Sequence, residues 1–511
     1  TKGKRESLLP RRMKDVEGID TEYPGSAEKE PDFSPSGPPP ISWSEDGQLR
    51  LFGIDATAEV WAIALVYFVQ GITGISRLAV SYYYKDALHV GPAEMSIIGS
   101  VAILPWVVKP LYGFISDGFP LFGYKRRSYL ILSGITGTLS WLGLAGLATC
   151  TQTGACQPDS LTTATAVSAV TLSSLGLAFS DVLVDAIVVT RSRGGQGQAG
   201  ALQSLCWSSS AVGGILSAYA SGSLVQAFGP RFVFGLTAAF PLITSAVGGL
   251  IKETPISKTE TQEQRESVIS QIRQQGGLLW DAFRQKSILL PVFFLFLWQS
   301  TPTSGSALFY FETNELKFEP EFLGRLSLVS SLSSLAGVVL YDQKLKKVPL
   351  RTLFKWTCLA GVVLGMTPLV LISHANRAVG LPDQLFALGD DVVLTVLGQI
   401  AFMPVLVLGA NICPPGVEES LYAALMSVNN LSGGAGSILG GLATKALGVT
   451  ESNFDNLSLL VVLTNLSGLL PLPFLFLLPE QRADEEGNLF MVDEAYSEGE
   501  EEGEDGSREG G

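Results

Sequence analysis

Ala178-Phe179-Ser180-Asp181-Val182-Leu183-Val184-Asp185 has a second copy further along the chain, Ala401-Phe402-Met403-Pro404-Val405-Leu406-Val407-Leu408, in which Ala, Phe, Val, Leu and Val recur. With the register held, Ala201-Leu202-Gln203-Ser204 falls on Ala424-Leu425-Met426-Ser427, and Gly213-Gly214-Ile215-Leu216 on Gly436-Ser437-Ile438-Leu439. One offset serving three separated matches marks a duplicated half-chain, and paired halves around a central site are a recurrent transporter plan. The copies differ in chemistry: Asp181 stands opposite Pro404, and Asp185 opposite Leu408. The first half therefore carries two carboxylates in an apolar helix that lacks them in the second.

Composition points the same way. A mean hydropathy of +0.32, with 47% hydrophobic and 16% charged residues in 511, describes a polytopic membrane protein. Much of the net charge of −14 lies between Glu480 and Glu509, a run that reads as a solvated tail. No basic and aromatic clustering points to nucleic acid. Five cysteines and two histidines show no metal-ligand spacing, so no cofactor or metal is expected, and a bridge between Cys150 and Cys156 across one polar loop is left open. The glycine-rich loop Gly194 to Gly200 lacks the Gly-Lys-Ser/Thr ending of a phosphate loop, which argues against drive by ATP.

Apolar stretches of bilayer length predict spans at 57–80, 93–116, 127–149, 163–189, 199–226 and 231–251, then at 288–311, 321–341, 352–373, 390–412, 418–446 and 456–478. The expected fold is an all-α polytopic bundle of about twelve transmembrane helices in two pseudo-symmetric six-helix halves. Its expected parts are a disordered hydrophilic segment 1–56, a first half 57–251, a linker 252–287, a second half 288–478 and an acidic disordered tail 479–511. The linker contains a short amphipathic surface helix from Gly276 to Arg284. Lys125, Arg126, Arg127, Arg191, Arg193, Lys344, Lys346 and Lys347 share one side, which places the termini and linker on the cytosol-like face. Thr1 in place of Met and the basic cluster from Lys2 to Lys14 fit the remnant edge of a targeting segment. Small residues four apart, Gly214, Ala218 and Gly222, then Ser432, Gly436 and Gly440, predict close helix contacts, either where the halves rock or as static packing.

Charged side chains deep in a bilayer are costly and so are functional candidates. Lys109 in the second span and Asp181 in the fourth lie at similar depth, and Asp185 is one turn beyond Asp181 on the same face. A buried ion pair locking the two spans together is the structural alternative. Gln70, Gln299, Gln399, Asn429 and Asn430, from both halves, fit the wall of a central cavity, although each also suits a helix-to-helix hydrogen bond. After the second span, Gly113-Phe114-Ile115-Ser116-Asp117, a turn, and Lys125-Arg126-Arg127 resemble the major facilitator superfamily signature with a lengthened turn, echoed at Gly337 to Asp342 and Lys344. Such a cluster can hold one conformation by ion pairing and release it in another.

The runs Tyr67-Phe68-Val69-Gln70-Gly71 to Val80, Leu104-Pro105-Trp106 to Gly113, the Asp181 and Asp185 pair, and Cys413-Pro414-Pro415-Gly416-Val417-Glu418-Glu419-Ser420 together resemble the folate-biopterin transporter family over 57–478. The long N-terminal extension is similar to that of plant members of the plastid envelope. The resemblance implies a chloroplast-envelope importer of folates, and of pterins, that works as a proton symporter. A pterin presents an amidine-like edge that a carboxylate accepts through two hydrogen bonds. Asp181 or Asp185 is thus a candidate for the ring, the other for the coupling proton, and the anionic glutamate moiety would seek Lys109 or Arg77. The expected partners are a small-molecule substrate, protons and the bilayer, with the protein a monomer. Another organic anion or amphipathic metabolite is the alternative cargo, and a receptor or scaffold the alternative without transport. An intramembrane aspartyl protease, prompted by Tyr341-Asp342 and Leu388-Gly389-Asp390, is disfavoured because the spans put those carboxylates on opposite faces.

Overall fold

Backbone N–H and C=O groups find no water in a bilayer, so apolar runs must close their hydrogen bonds internally as helices. The computed structural model describes residues 41–43, 49–192, 198–251, 253–255, 276–277, 280–411, 418–483 and 489–491. Most of the expected N-terminal segment, linker and acidic tail, the loop at Gly194 and the run Cys413 to Val417 lie outside the described residues.

The first half begins with α1, Ala58–Ala87. Helix α2 is a bent pair, Pro92–Val107 and Lys109–Gly118, with 41° between its parts. Then come α3, Arg127–Gln152, and α4, Ser160–Ser192. The next apolar stretch, Gly200–Leu250, has 51 residues, or ~76 Å of helix against a hydrocarbon core of ~30 Å. It breaks at Gly229, whose φ of 75° suits only a residue without Cβ, and Pro230 follows. The helix before the break, from Gln198, is α5, and the helix after it, continued by Ala239–Leu250, is α6.

The second half comprises α7, Lys286–Gln299 resumed as Gly305–Tyr310; α8, Pro320–Leu340; and α9, Leu350–Leu364 with Pro368–Ile372. It closes with α10, Asp383–Asn411, α11, Glu418–Ala446, and α12, Leu457–Ser467. Twelve helices among the described residues thus form the expected polytopic bundle. The repeat register equates Ser160 with Asp383, and these residues open α4 and α10. Helix α11 is polar from Asn429 to Gly441 because it packs along α2 of the other half rather than against lipid.

The halves meet mainly at the end away from the termini. One buried cluster there draws on both, with Tyr82, Leu88, Val90 and Val225 against Phe318, Leu323 and Leu371. The Tyr310 hydroxyl donates to the carbonyl of Val90, and Lys85 Nζ donates to Asn314 Oδ1 at 3.0 Å. Helices α5 and α8 cross at Gly222 and Gly324, where a Cβ on Gly222 would lie 2.2 Å from the Pro320 carbonyl oxygen. The remaining buried clusters each stay within one half.

The small-residue spacing serves two purposes. Gly222 does join the halves, but Gly436 and Gly440 press on Thr301 and Thr303 of α7 in their own half. A Cβ on Gly214 would meet nothing within 4 Å, although its backbone N would stand 2.7 Å from a Cβ on Gly71 of α1; a Cβ on its neighbour Gly213 would stand 2.4 Å from the Phe68 carbonyl oxygen. A helix turns every 3.6 residues, so a four-residue stripe drifts by about 40° per step and leaves a straight contact line.

Cys150 and Cys156 are disulfide-bonded, while Cys206 and Cys358 are free and buried. Near the linker, Ala282 is buried against Leu421 and Leu425 of α11, and Trp280 is exposed with the Arg284 guanidinium 5.7 Å from its ring.

Candidate functional site

Tyr67 and Gln70 are three residues apart on α1, and Asp181 and Asp185 four apart on α4, so each pair shares one helical face. The two helices run in opposite directions, which matches Tyr67 with Asp185 and Gln70 with Asp181. The Tyr67 hydroxyl donates to Asp185 Oδ1, and Gln70 Nε2 donates to Asp181 Oδ1 at 2.8 Å.

Lys109 arrives from α2 at its bend. Val108 leaves helical geometry at φ −92° and ψ 10°, and Pro105 and Pro110 flank the break. Proline lacks the N–H that would continue the ladder, so the helix yields here. The Lys109 ammonium pairs with Asp181 Oδ2 and lies 3.3 Å from Asp185 Oδ2. Its Nζ is also 6.0 Å from the centre of the Trp106 ring.

Exposure separates the two carboxylates. The Asp181 side chain is 10% exposed, that of Lys109 26% and that of Asp185 45%. Two carboxylates and one ammonium leave a single negative charge when all are ionised, and Asp185 is the member that solvent reaches.

The other expected site residues divide. Arg77 lies two turns along α1 from Gln70 and stays out of this cluster, lining a cavity within the first half. Asn430 Nδ2 donates to the Trp106 carbonyl at 3.4 Å, linking α11 to α2 just before Lys109. Gln299 lies beside Gly433 of α11, 3.9 Å from where a Cβ would stand, and neither it nor Asn429 hydrogen-bonds the cluster among the described residues.

In the signature after α2, Gly113 faces α4, and a Cβ there would stand 3.8 Å from Val182, an ordinary contact that does not require glycine. Asp117 makes no ion pair among the described residues. The basic group is held by Glu253, which follows α6: its carboxylate accepts from the backbone N–H of Lys125, Arg126 and Arg127 at 2.8 to 3.3 Å. Arg126 Nη1 donates to Thr190 Oγ1 at 3.1 Å, and Arg127 lies 5.4 Å from the Tyr124 ring. In the echo, Asp342 pairs with Lys346 on its own helix at 3.2 Å.

Two features escaped the sequence reading. Tyr67 is one; its signal is its place three residues before Gln70 on the same face. The other is a set of polar contacts around two carboxylates of the second half. Ser330 donates to Asp391 and Thr367 to Asp390, with half-buried Glu312 within electrostatic reach of both. The predicted span began at 390, whereas α10 begins at Asp383 right after Pro382, so these carboxylates lie two turns inside the helix.

Six helices and six, related by a repeat, joined at one end and carrying a charged seam between α1, α2 and α4, form a bundle of the major facilitator fold. The fold matches the crystal structure of a D-xylose-proton symporter with a TM-score of 0.60, over 83% of this chain and 98% of that one at 14% identity. It matches nucleoside transporter NupG at 0.58, over 82% and 99%, again at 14% identity. The chain belongs to the BT1 family, whose model matches residues 70–492. It is 50% identical over 431 residues to the folate-biopterin transporter of Synechocystis sp., covering 84% of this chain and 83% of the relative. It is 33% identical over 430 residues to probable folate-biopterin transporter 2 of Arabidopsis thaliana, covering 82% and 83%.

Proposed function

We propose that the protein is a secondary active transporter that carries folates, and unconjugated pterins, across a membrane by alternating access coupled to protons. The relatives' names support the substrate class. The observation that carries the mechanism is the cluster in which one Lys109 serves both Asp181 and Asp185. Ionised throughout, it repels an anionic solute; protonation of the more exposed Asp185 brings it to neutrality and removes that repulsion. Proton loading before substrate loading is the order that a symporter of anions needs.

Asp181 is the acceptor for the ring. A carboxylate has about four lone-pair sites, and Gln70 and Lys109 occupy two, which leaves two for the parallel N–H groups of a pterin edge. In this reading Gln299, Asn429 and Asn430 of the second half complete the wall around the substrate. The signature residues Gly113, Asp117, Arg126 and Arg127 regulate the terminus-side end. In this reading the parts are 1–56, 57–251, 252–287, 288–478 and 479–511, the unit is a monomer, and the membrane is the plastid envelope. The likeness to plant members supports the location, and fractionation of plastids with the full-length chain tests it.

Uptake of labelled folate into proteoliposomes with an imposed pH gradient tests the function. Wild type responds to the gradient, whereas Asp185→Asn exchanges folate but ignores the gradient. An unchanged gradient response in Asp185→Asn removes the coupling role, and a wild type that moves neither folate nor pterin removes the transporter reading.

A further inference from the structure

Beyond the charged cluster, the first half holds an open cavity of about 530 Å³ walled by α1, α2, α3, α4 and α6. Arg77 is the one charged residue in its lining among the described residues. Arg77 is exposed, and its guanidinium has no hydrogen-bond or ion-pair partner among the described residues. Around it stand the buried residues Ser133, Ser173 and Thr244, and the indole N–H of buried Trp141 finds no acceptor among the described residues. The lining is therefore rich in donors and holds no acidic side chain.

Acceptor-only groups complement such a lining. A carboxylate offers oxygens and no hydrogen, and the planar guanidinium matches it through two parallel N–H···O bonds. Lys109 cannot serve in the same way, since Asp181 and Asp185 already share its charge.

We infer that this cavity is a preformed subsite for the carboxylate tail of the solute, with Arg77 as the residue that distinguishes tailed from tailless solutes. The inference rests on the transport reading above. Gln70, Gly74 and Arg77 follow i, i+4 and i+7 along one face of α1, so Arg77 stands about 10 Å beyond Gln70. Gln70 and Ser180, beside Asp181, border the same cavity. An elongated solute with a heterocycle at one end and carboxylates at the other reaches Asp181 and Arg77 together. Gly74 keeps the stripe between them bare, because a Cβ there would press on Ser217 at 2.8 Å, with Arg77 Nε at 4.0 Å.

The test measures uptake of folate, which carries the glutamate tail, and of biopterin, which carries no carboxylate, in wild type, Arg77→Gln and Arg77→Lys. Loss of a charged pair predicts an apparent folate affinity about 10- to 100-fold weaker in Arg77→Gln, partial recovery in Arg77→Lys, and biopterin uptake near wild type in both. Retained biopterin uptake also shows that the variant is folded. In wild type, aminobenzoyl-glutamate, the tail without the ring, competes with folate. If wild type carries both solutes while Arg77→Gln loses neither or loses both alike, or if the tail fragment does not compete, the subsite is overturned and transport stands. If wild type carries neither solute, the transport reading fails and the subsite with it.

Discussion

Lys109 and Asp181 pair across α2 and α4 at the point where α2 breaks, and the lysine holds Asp185 through the same ammonium. Asp181 is buried, so removing the lysine strands a carboxylate without its cation. Lys109→Ala is expected to cost about 3–5 kcal/mol, with Lys109→Ala/Asp181→Ala closer to wild type than that single variant. Thermal unfolding in detergent reads the cycle. A double variant no better than the sum of the singles means that the two residues are not one energetic unit.

The closed end predicts a contrast between two glycines. A Cβ on Gly222 would meet the Pro320 carbonyl and Gly324, whereas Gly143 has nothing within 4 Å. Gly222→Ala should cost about 1–3 kcal/mol through overpacking, and Gly143→Ala should be neutral or gain up to about 1 kcal/mol from helix propensity. Gly222→Ala should also slow cross-linking between Lys85→Cys and Asn314→Cys, because the halves separate where those residues meet. Equal melting temperatures for the two glycine variants would contradict this packing.

Glu253 accepts from three backbone N–H groups where α3 begins. Its loss leaves donors of a helix start without an acceptor. Glu253→Ala is expected to cost about 1–2 kcal/mol, and hydrogen exchange should accelerate at the amides of Lys125, Arg126 and Arg127 before any other part of α3. Unchanged protection of those amides would refute the capping role.

Asp159 caps α4 in the loop before it, accepting from the backbone N–H of Thr162 at 2.8 Å. That hydrogen bond holds its carboxyl below the usual carboxylate range. A depressed value in the folded state means that the stabilisation is complete above an unfolded pKa of about 3.9 and disappears as pH falls through the lower folded value. Asp159→Asn, which keeps an oxygen acceptor and cannot titrate, should flatten the acid limb of the melting curve below about pH 4. A variant with the acid limb of wild type would show that the cap does not titrate.

Much of the site was legible as a list and little of it as a geometry. Gln70, Lys109, Asp181 and Asp185 stand out because polar groups in apolar runs are conspicuous, and the structure brings these four together. Tyr67 did not stand out, since tyrosine is at home in membrane helices and only the antiparallel register of α1 and α4 gives it Asp185. Asp390 stands out in the chain only within Leu388-Gly389-Asp390, and neither its partner nor that of Asp391 is legible there, because apolar content locates the middle of a span well and its start poorly.

The set of helices, their doubling and the positions of charge within apolar runs are legible in the chain alone. Those follow from the cost of exposing backbone and charge to lipid, which acts residue by residue and leaves a pattern in the chain. Packing between segments, by contrast, is what occupies Lys109 with two aspartates and leaves Arg77 exposed beside a cavity. Packing also makes Gly213 rather than Gly214 the position where a Cβ would collide with α1, and Glu253 rather than Asp117 the residue that holds the basic turn. Those outcomes depend on how far each helix rotates about its axis and where proline or glycine bends it. Interactions between segments distant in sequence set such small angles, and no local pattern records them.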